Sequence, residues 1–219
     1  LAKLSGALAL PAILLHWLLT RRTRLRQFTS SILLAPVSFM LLMPLFDFVI
    51  SRQLLNPIGQ VKTMLSLSSS LTFSNTSCDI VSRPWDWILH PEIITYWNVP
   101  HYFGAISFTI WALIIPSVLY MVFKATKSDS AGLFSISWFI STYLFWIPAS
   151  IITDRISFVY YFYPTVGAIC IGLGLGLSQL IAMWETRSAG KLRWVAMLTV
   201  LGYLVLHVSI FVILSPVFN

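Results

Sequence analysis

Residues 194–215 read WVAMLTVLGYLVLHVSIFVILS, an unbroken stretch without one acid, lysine or arginine. A helix of that length rises about 33 Å at 1.5 Å per residue, enough to cross a hydrocarbon core about 30 Å thick. Five further apolar runs precede it, at residues 4–19, 31–50, 104–123, 132–152 and 158–183. The pattern predicts an all-α, polytopic membrane protein with about six transmembrane helices. Composition agrees: of 219 residues, 58% are hydrophobic and 10% charged, against roughly 45–50% and about 25% in soluble domains. Residues 1–219 therefore read as a single transmembrane domain, with one long connection, residues 51–103, and no room for a soluble domain.

The net charge of +7 would suggest nucleic acid in a soluble protein, but here the bases cluster between apolar runs. Arg21, Arg22, Arg24 and Arg26 occupy the first connection, Lys124 and Lys127 the third, and Arg187, Lys191 and Arg193 the fifth. The other side carries Lys3, Arg52, Lys62, Arg83 and Arg155 over a much longer stretch. Bases are retained on the cytoplasmic side, so both ends of the chain and the long connection are expected outside the cytoplasm. Trp17, Trp138, Trp184 and Trp194 lie near run ends, where interfacial anchors sit. Asp47, Asp79, Asp86, Glu92 and Asp154 then belong to the outer side, and only Asp129 and Glu185 to the inner one. Asp47 interrupts an apolar run. Such a charge faces protein or water, or else lies already among the headgroups at the end of its helix.

Two outer segments hold the candidate chemistry. The first is Ser82-Arg83-Pro84-Trp85-Asp86-Trp87. Flat indole faces pack on sugar C–H surfaces and Arg pairs with phosphate, so Arg83, Trp85, Asp86 and Trp87 fit a shelf over a sugar or lipid headgroup. They also fit an interfacial re-entrant segment anchored by tryptophan, the reading that composition alone favours. The second is Asp154-Arg155-Ile156-Ser157-Phe158-Val159-Tyr160-Tyr161-Phe162-Tyr163-Pro164. Here Arg155 reads either as a clamp for a lipid phosphate, with Tyr160 and Tyr161 around it, or as a snorkelling cation paired with Asp154.

Other features read as structural. Gly172, Gly174 and Gly176 lack a preceding strand and a Walker Lys-Ser/Thr, so helix packing explains them better than phosphate binding. Asn75-Thr76-Ser77 matches a glycosylation acceptor. His16, His90, His101 and His207 lack metal or triad spacing, and Cys78 and Cys170 lie too differently placed to pair, so no metal is expected. Pro11, Pro36, Pro44, Pro116 and Pro148 fall in or near spans, where kinks are expected.

The two outer segments resemble the carboxyl-terminal membrane region of the dolichyl-phosphate-mannose protein O-mannosyltransferases, the PMT family of GT-C glycosyltransferases. The family's Ser-x-x-Pro-Trp-x-Trp type signature is met loosely by Ser82 and Pro84 to Trp87. Its Arg-x-x-Phe-x-Tyr-His-Tyr-x-Pro signature is met by Arg155, Phe158, Tyr160 and Pro164, with Tyr161 in place of the His and Phe162 in place of the second Tyr. The substitutions remove any role the family's His carries and suggest a divergent, prokaryotic branch. Topology agrees, since the last six of the family's eleven spans begin and end outside with a long outer loop after the second.

The resemblance implies the carboxyl-terminal half of a GT-C fold. It also implies transfer of mannose, or another sugar, from a polyprenyl phosphate to a protein hydroxyl on the extracytoplasmic face. No cofactor is implied beyond that lipid-linked donor, and partners would be the donor, a protein acceptor and membrane lipids; a homo- or heterodimer is compatible with it. A carboxylate deprotonates the acceptor while basic groups stabilise the departing phosphate. In the family this base comes from an acidic pair in the first outer loop. No two acids are adjacent here, so the chain is expected to be a fragment whose base lies upstream of Leu1. What remains is the lipid-phosphate side, Arg155, Tyr160 and Tyr161, beneath the loop of Arg83, Trp85, Asp86 and Trp87. The rival from another class is half of a transporter or channel, which would need polar residues at midplane. Asp47 and His207 are the main ionisable residues within runs.

Overall fold

The computed structural model describes residues 7–20, 25–70, 72–74, 81–98, 101–186 and 190–215. Helix α1 (Ala9–Leu19) is followed by the long α2 (Leu25–Ser51) and by α3 (Pro57–Ser70). The short α4 (Asp86–Leu89) leads to a hairpin of β1 (Ile93–Asn98) and β2 (His101–Ala105). Helix α5 (Phe108–Trp111), α6 (Ile114–Thr126), α7 (Ser130–Phe139) and α8 (Trp146–Thr153) come next, α7 and α8 being joined by a π-helical segment, Ile140–Leu144. A 3-10 turn, Val159–Tyr161, enters α9 (Tyr163–Thr186), and α10 (Lys191–Leu214) closes the described chain.

Four segments are long and apolar enough to cross a membrane: Leu25–Ser51, Ser130–Thr153, Tyr163–Glu185 and Lys191–Leu214. They identify an integral membrane protein. The first and third apolar runs of the sequence form shorter helices instead, α1 and α6. The third run was expected to be one helix from 104 to 123, but Gly104 and Ala105 end β2 and the helix breaks at Ala112 and Leu113. Pro116 explains the break: in a continuous helix its ring would strike the carbonyl of Ala112, and it has no N–H to donate there. Pro11 and Pro148 likewise fall in first turns, where the missing N–H costs least, whereas α2 runs unbroken through Pro36 and Pro44.

The long connection is the other departure from an all-helical reading. Ile93, Ile94, Thr95 and Trp97 are β-branched or aromatic, residues that favour a pleated strand. They pair antiparallel with β2 from Ile93 opposite Ala105 to Asn98 opposite His101, with an irregularity between Thr95 and Trp97. Two strands alone are marginal; Ile94, buried in the main core, anchors them.

That core gathers Ile114 and Met121 of α6, Ile136 and Phe139 of α7, Tyr143, Trp146, Phe162 and Ile169. In lipid, small residues and interhelical hydrogen bonds hold spans together more than apolar burial does. Gly132 lies so close to α6 that a Cβ there would come within 2.9 Å of the Ala125 backbone nitrogen. Gly172 faces Ser117 and Met121 with no room for a methyl group. Ser117 Oγ donates to the Ile169 carbonyl at 2.9 Å, Thr165 Oγ1 donates to Thr142 Oγ1 at 2.9 Å, and Trp138 Nε1 donates to the Pro164 carbonyl at 2.8 Å. Asp129 caps α7 by accepting from the Gly132 N–H at 2.8 Å. Helix α2, by contrast, buries none of its residues.

These contacts set the polarity of the bundle. The α6 pairings at Ser117–Ile169 and Met121–Gly172 run in register with α9, so the two helices are parallel, while α7 returns antiparallel from α6. His16, near the end of α1, meets Phe134, near the start of α7, edge-on at 5.6 Å. The short connections α1 to α2, α6 to α7 and α9 to α10 therefore share one end, called the rim below. The connection from α8 to α9 lies at the opposite end, the mouth.

Candidate functional site

The mouth is built where the two segments singled out from sequence meet. Ser82 N donates to the Ser157 carbonyl at 3.0 Å, and Ser157 Oγ returns the bond to the Ser82 carbonyl at 2.7 Å. Trp87 Nε1 donates to Ser82 Oγ at 3.0 Å. The turn between them is closed by Asp86, whose carboxylate accepts from the Arg83 N–H at 3.1 Å while its own N–H donates to the Arg83 carbonyl at 3.0 Å. Tyr143 adds a hydroxyl bond of 3.3 Å to the Pro84 carbonyl.

Trp87 has no solvent exposure and packs against Tyr143 and Phe162, with ring centroids 6.5 and 6.1 Å away. It is a core residue that roots the loop. Trp85 keeps an exposed face beside the Arg83 guanidinium, 5.7 Å away. Of the two indoles, Trp85 alone thus presents a face to the outside.

Arg83, not Arg155, pairs with Asp154. Its Nη2 lies 3.0 Å from Asp154 Oδ1, its Nη1 donates to Ser150 Oγ at 3.2 Å, and its guanidinium lies 3.8 Å from the centre of the Phe73 ring. The local backbone explains the swap. Asp154 ends α8 in the left-handed region, with φ 46°, which turns the next side chain away from its own. Asp154 also accepts from Ser74 Oγ at 2.5 Å and Ser74 N at 3.3 Å, and its carbonyl accepts from Phe73 N at 2.9 Å. The Ser74 hydroxyl, and after it Arg83, hold the Asp154 carboxyl below its ordinary value by bonding to the charged form.

Arg155 points into the aromatic run instead. Its Nη2 donates to the Tyr161 hydroxyl at 3.3 Å, and its guanidinium lies 5.8 Å from the Tyr161 ring centre. It has no carboxylate partner among the described residues. Tyr161 stacks on Trp146 at 4.6 Å, Tyr160 stacks on Phe158 at 5.0 Å, and the two tyrosines meet at 4.8 Å. Behind them the buried Trp146 Nε1 has no hydrogen-bond partner among the described residues. Phe73, Ser74, Tyr143, Ser150 and Ser157 complete the mouth without having been singled out in the sequence. Little in their local context marks them, because their roles come from residues distant in the chain, Tyr143 meeting Pro84 across 59 residues, Ser150 meeting Arg83 across 67 and Ser157 meeting Ser82 across 75.

The remaining polar residues lie elsewhere. Asp47 accepts from Gln60 Nε2 of α3 at 2.7 Å. His207 Nδ1 sits 2.6 Å from Thr109 Oγ1, with Tyr203 stacked on the ring at 5.9 Å, so it ties α10 to α5. His90 follows α4 on the surface, and Cys170 is a free thiol in α9. Cys78, Asp79 and the Asn75-Thr76-Ser77 acceptor fall outside the described residues. Among the described residues no three His, Cys, Asp or Glu side chains are grouped closely enough to hold a metal ion. Compared with protein-family models, curated proteins and solved structures, the chain matches none. The class defined by fold and composition is therefore a polytopic helical membrane protein with a polar, aromatic mouth at one end.

Proposed function

We propose that the mouth is the lipid-phosphate side of a GT-C type glycosyltransferase. It would move mannose or a related sugar from a polyprenyl phosphate to a protein hydroxyl on the extracytoplasmic face. The observation that carries the reading is the joining of Ser82–Trp87 to Arg155–Pro164 through the reciprocal Ser82 and Ser157 bonds, at 3.0 and 2.7 Å. The two segments that resemble the protein mannosyltransferases thus form one surface. Within it Arg83 is neutralised by Asp154, whereas Arg155, beside Tyr161, has no carboxylate partner among the described residues.

Charge develops on the donor's phosphate as the glycosidic C–O bond breaks. A guanidinium already held in place stabilises that charge with little reorganisation, and its fork matches two phosphate oxygens. Tyr160 and Tyr161 supply flat faces and hydroxyls around it. No residue of the mouth is assigned as the base that takes the acceptor proton. The role of this chain is to hold the leaving group.

The test is binding of polyprenyl phosphate to the chain in nanodiscs, followed by native mass spectrometry. Arg155→Ala is expected to weaken binding at least tenfold, with unfolding temperature unchanged. Equal binding by the variant would remove Arg155 from the site and the reading with it.

A further inference from the structure

A second ligand site follows from a different part of the bundle. Helices α6, α9 and α10 enclose a groove of about 370 Å³, walled by Pro116 and Tyr120, by Gly172, Gly176 and Leu180, and by Tyr203. The glycines have divided roles. Gly172 brings α9 against Ser117 and Met121, whereas a Cβ on Gly176 would meet no atom within 4 Å. The volume that a side chain at 176 would fill is thus part of the groove. The walls are almost wholly apolar, and water there would lack the hydrogen-bond partners it needs. Hydrocarbon is the occupant such a groove suits within a bilayer.

The groove also has a charged end. Tyr120 is one turn before Lys124, and the Lys124 ammonium lies 5.7 Å from the centre of the Tyr120 ring. Lys124 is in the last turn of α6, at the rim, and has no carboxylate partner among the described residues. Lys127, Lys191 and Arg193 lie in or beside the connections at that same end. The acids there are Asp129, which caps α7, and Glu185. An apolar slot that ends at an unpaired cation, with further bases around it, is complementary to one lipid class.

We propose that the groove binds one anionic phospholipid, its acyl chain between α6, α9 and α10 and its phosphate on Lys124. The site is separate from the mouth and does not depend on the glycosyltransferase reading. A zwitterionic lipid would fill the same slot but gain less from an end where bases outnumber acids.

The test uses the full chain in a nonionic detergent, titrated with dioleoylphosphatidylglycerol or dioleoylphosphatidylcholine and read by native mass spectrometry. The wild type is expected to bind the glycerol lipid at least fivefold more tightly. Lys124→Gln should bring that affinity down to the choline lipid's, and Gly176→Leu should weaken both at least fivefold. Neither change should alter the unfolding temperature much, since Lys124→Gln keeps the stem of the side chain and loses only a ring contact at 5.7 Å, and a side chain at 176 enters open space. Arg155→Ala should leave phosphatidylglycerol binding intact. The proposal fails if the two lipids bind equally, if Lys124→Gln or Gly176→Leu binds like wild type, or if Arg155→Ala abolishes the binding. It also fails if polyprenyl phosphate displaces the glycerol lipid more effectively than unlabelled glycerol lipid does, which would assign the groove to a prenyl tail.

Discussion

The mouth and the rim use charge in different ways. At the mouth, Arg83 and Asp154 form the ion pair of the described residues, and Ser74, Ser150 and the Asp154 backbone fasten three chain segments around it. At the rim, Arg26, Lys124, Lys127, Lys191 and Arg193 have no carboxylate partner among the described residues, and Asp129 is committed to capping α7. Charge at the mouth is therefore part of the tertiary structure, whereas charge at the rim faces outward and is available to the membrane. The contrast teaches that net charge alone says little about which bases hold a fold together.

The comparison can be broken most directly at the mouth. Trp87→Ala removes a wholly buried indole and its bond to Ser82, and is expected to destabilise by about 3–5 kcal/mol. Chemical unfolding in detergent would measure it, and a loss below about 1 kcal/mol would mean that the loop is not rooted in the core.

A smaller effect should appear with acid. The Asp154 carboxyl ionises at lower pH when folded than when unfolded, because Ser74 and Arg83 bind its charged form. Its contribution is therefore complete above the unfolded value of about 3.9 and is lost as pH falls through the folded value. Melting of the wild type against Asp154→Asn should show a gap at pH 6 that closes towards pH 2.5. A constant gap would contradict the ionic origin. The contribution is modest, since both partners keep solvent contact, with side chains 30% and 43% exposed.

The smallest effect belongs to the rim. Lys191→Gln should change stability by no more than about 0.5 kcal/mol, because the lysine has no carboxylate partner among the described residues and stands in the first turn of α10, where the helix dipole disfavours a cation. A loss comparable with that of Trp87→Ala would erase the distinction between the two ends.

Much of the helical scaffold was legible in the sequence, since hydropathy reports length directly. The fourth, fifth and sixth runs correspond to Ser130–Thr153, Tyr163–Glu185 and Lys191–Leu214. The second starts earlier than expected, at Leu25, because Arg26 and Gln27 are good helix formers although polar. The third was misread because an apolar count cannot distinguish a strand end, a short helix and a proline-broken turn that all carry apolar residues. Local reading also placed the two mouth segments on one side of the membrane, and they do meet. It could not say that Arg83 would reach Asp154 ahead of the adjacent Arg155, which depends on a left-handed residue at 154 and on Ser74 arriving from another segment. Nor could it say which tryptophan of the pair would be buried, a matter settled by Tyr143 and Phe162 far along the chain.

The π-helical segment Ile140–Leu144 links the inner part of this molecule to its mouth in a further way. A wide turn accommodates one more residue than an α-turn, so everything after it is rotated by about 100° relative to an uninterrupted helix. Ser150, which meets Arg83 at 3.2 Å, lies beyond that shift. Deleting a single residue within 140–144 would restore an even helical pitch while swinging the face that carries Ser150 away from Arg83. The angular phase of one helix, and not only the identity of its side chains, thus sets how the mouth is assembled.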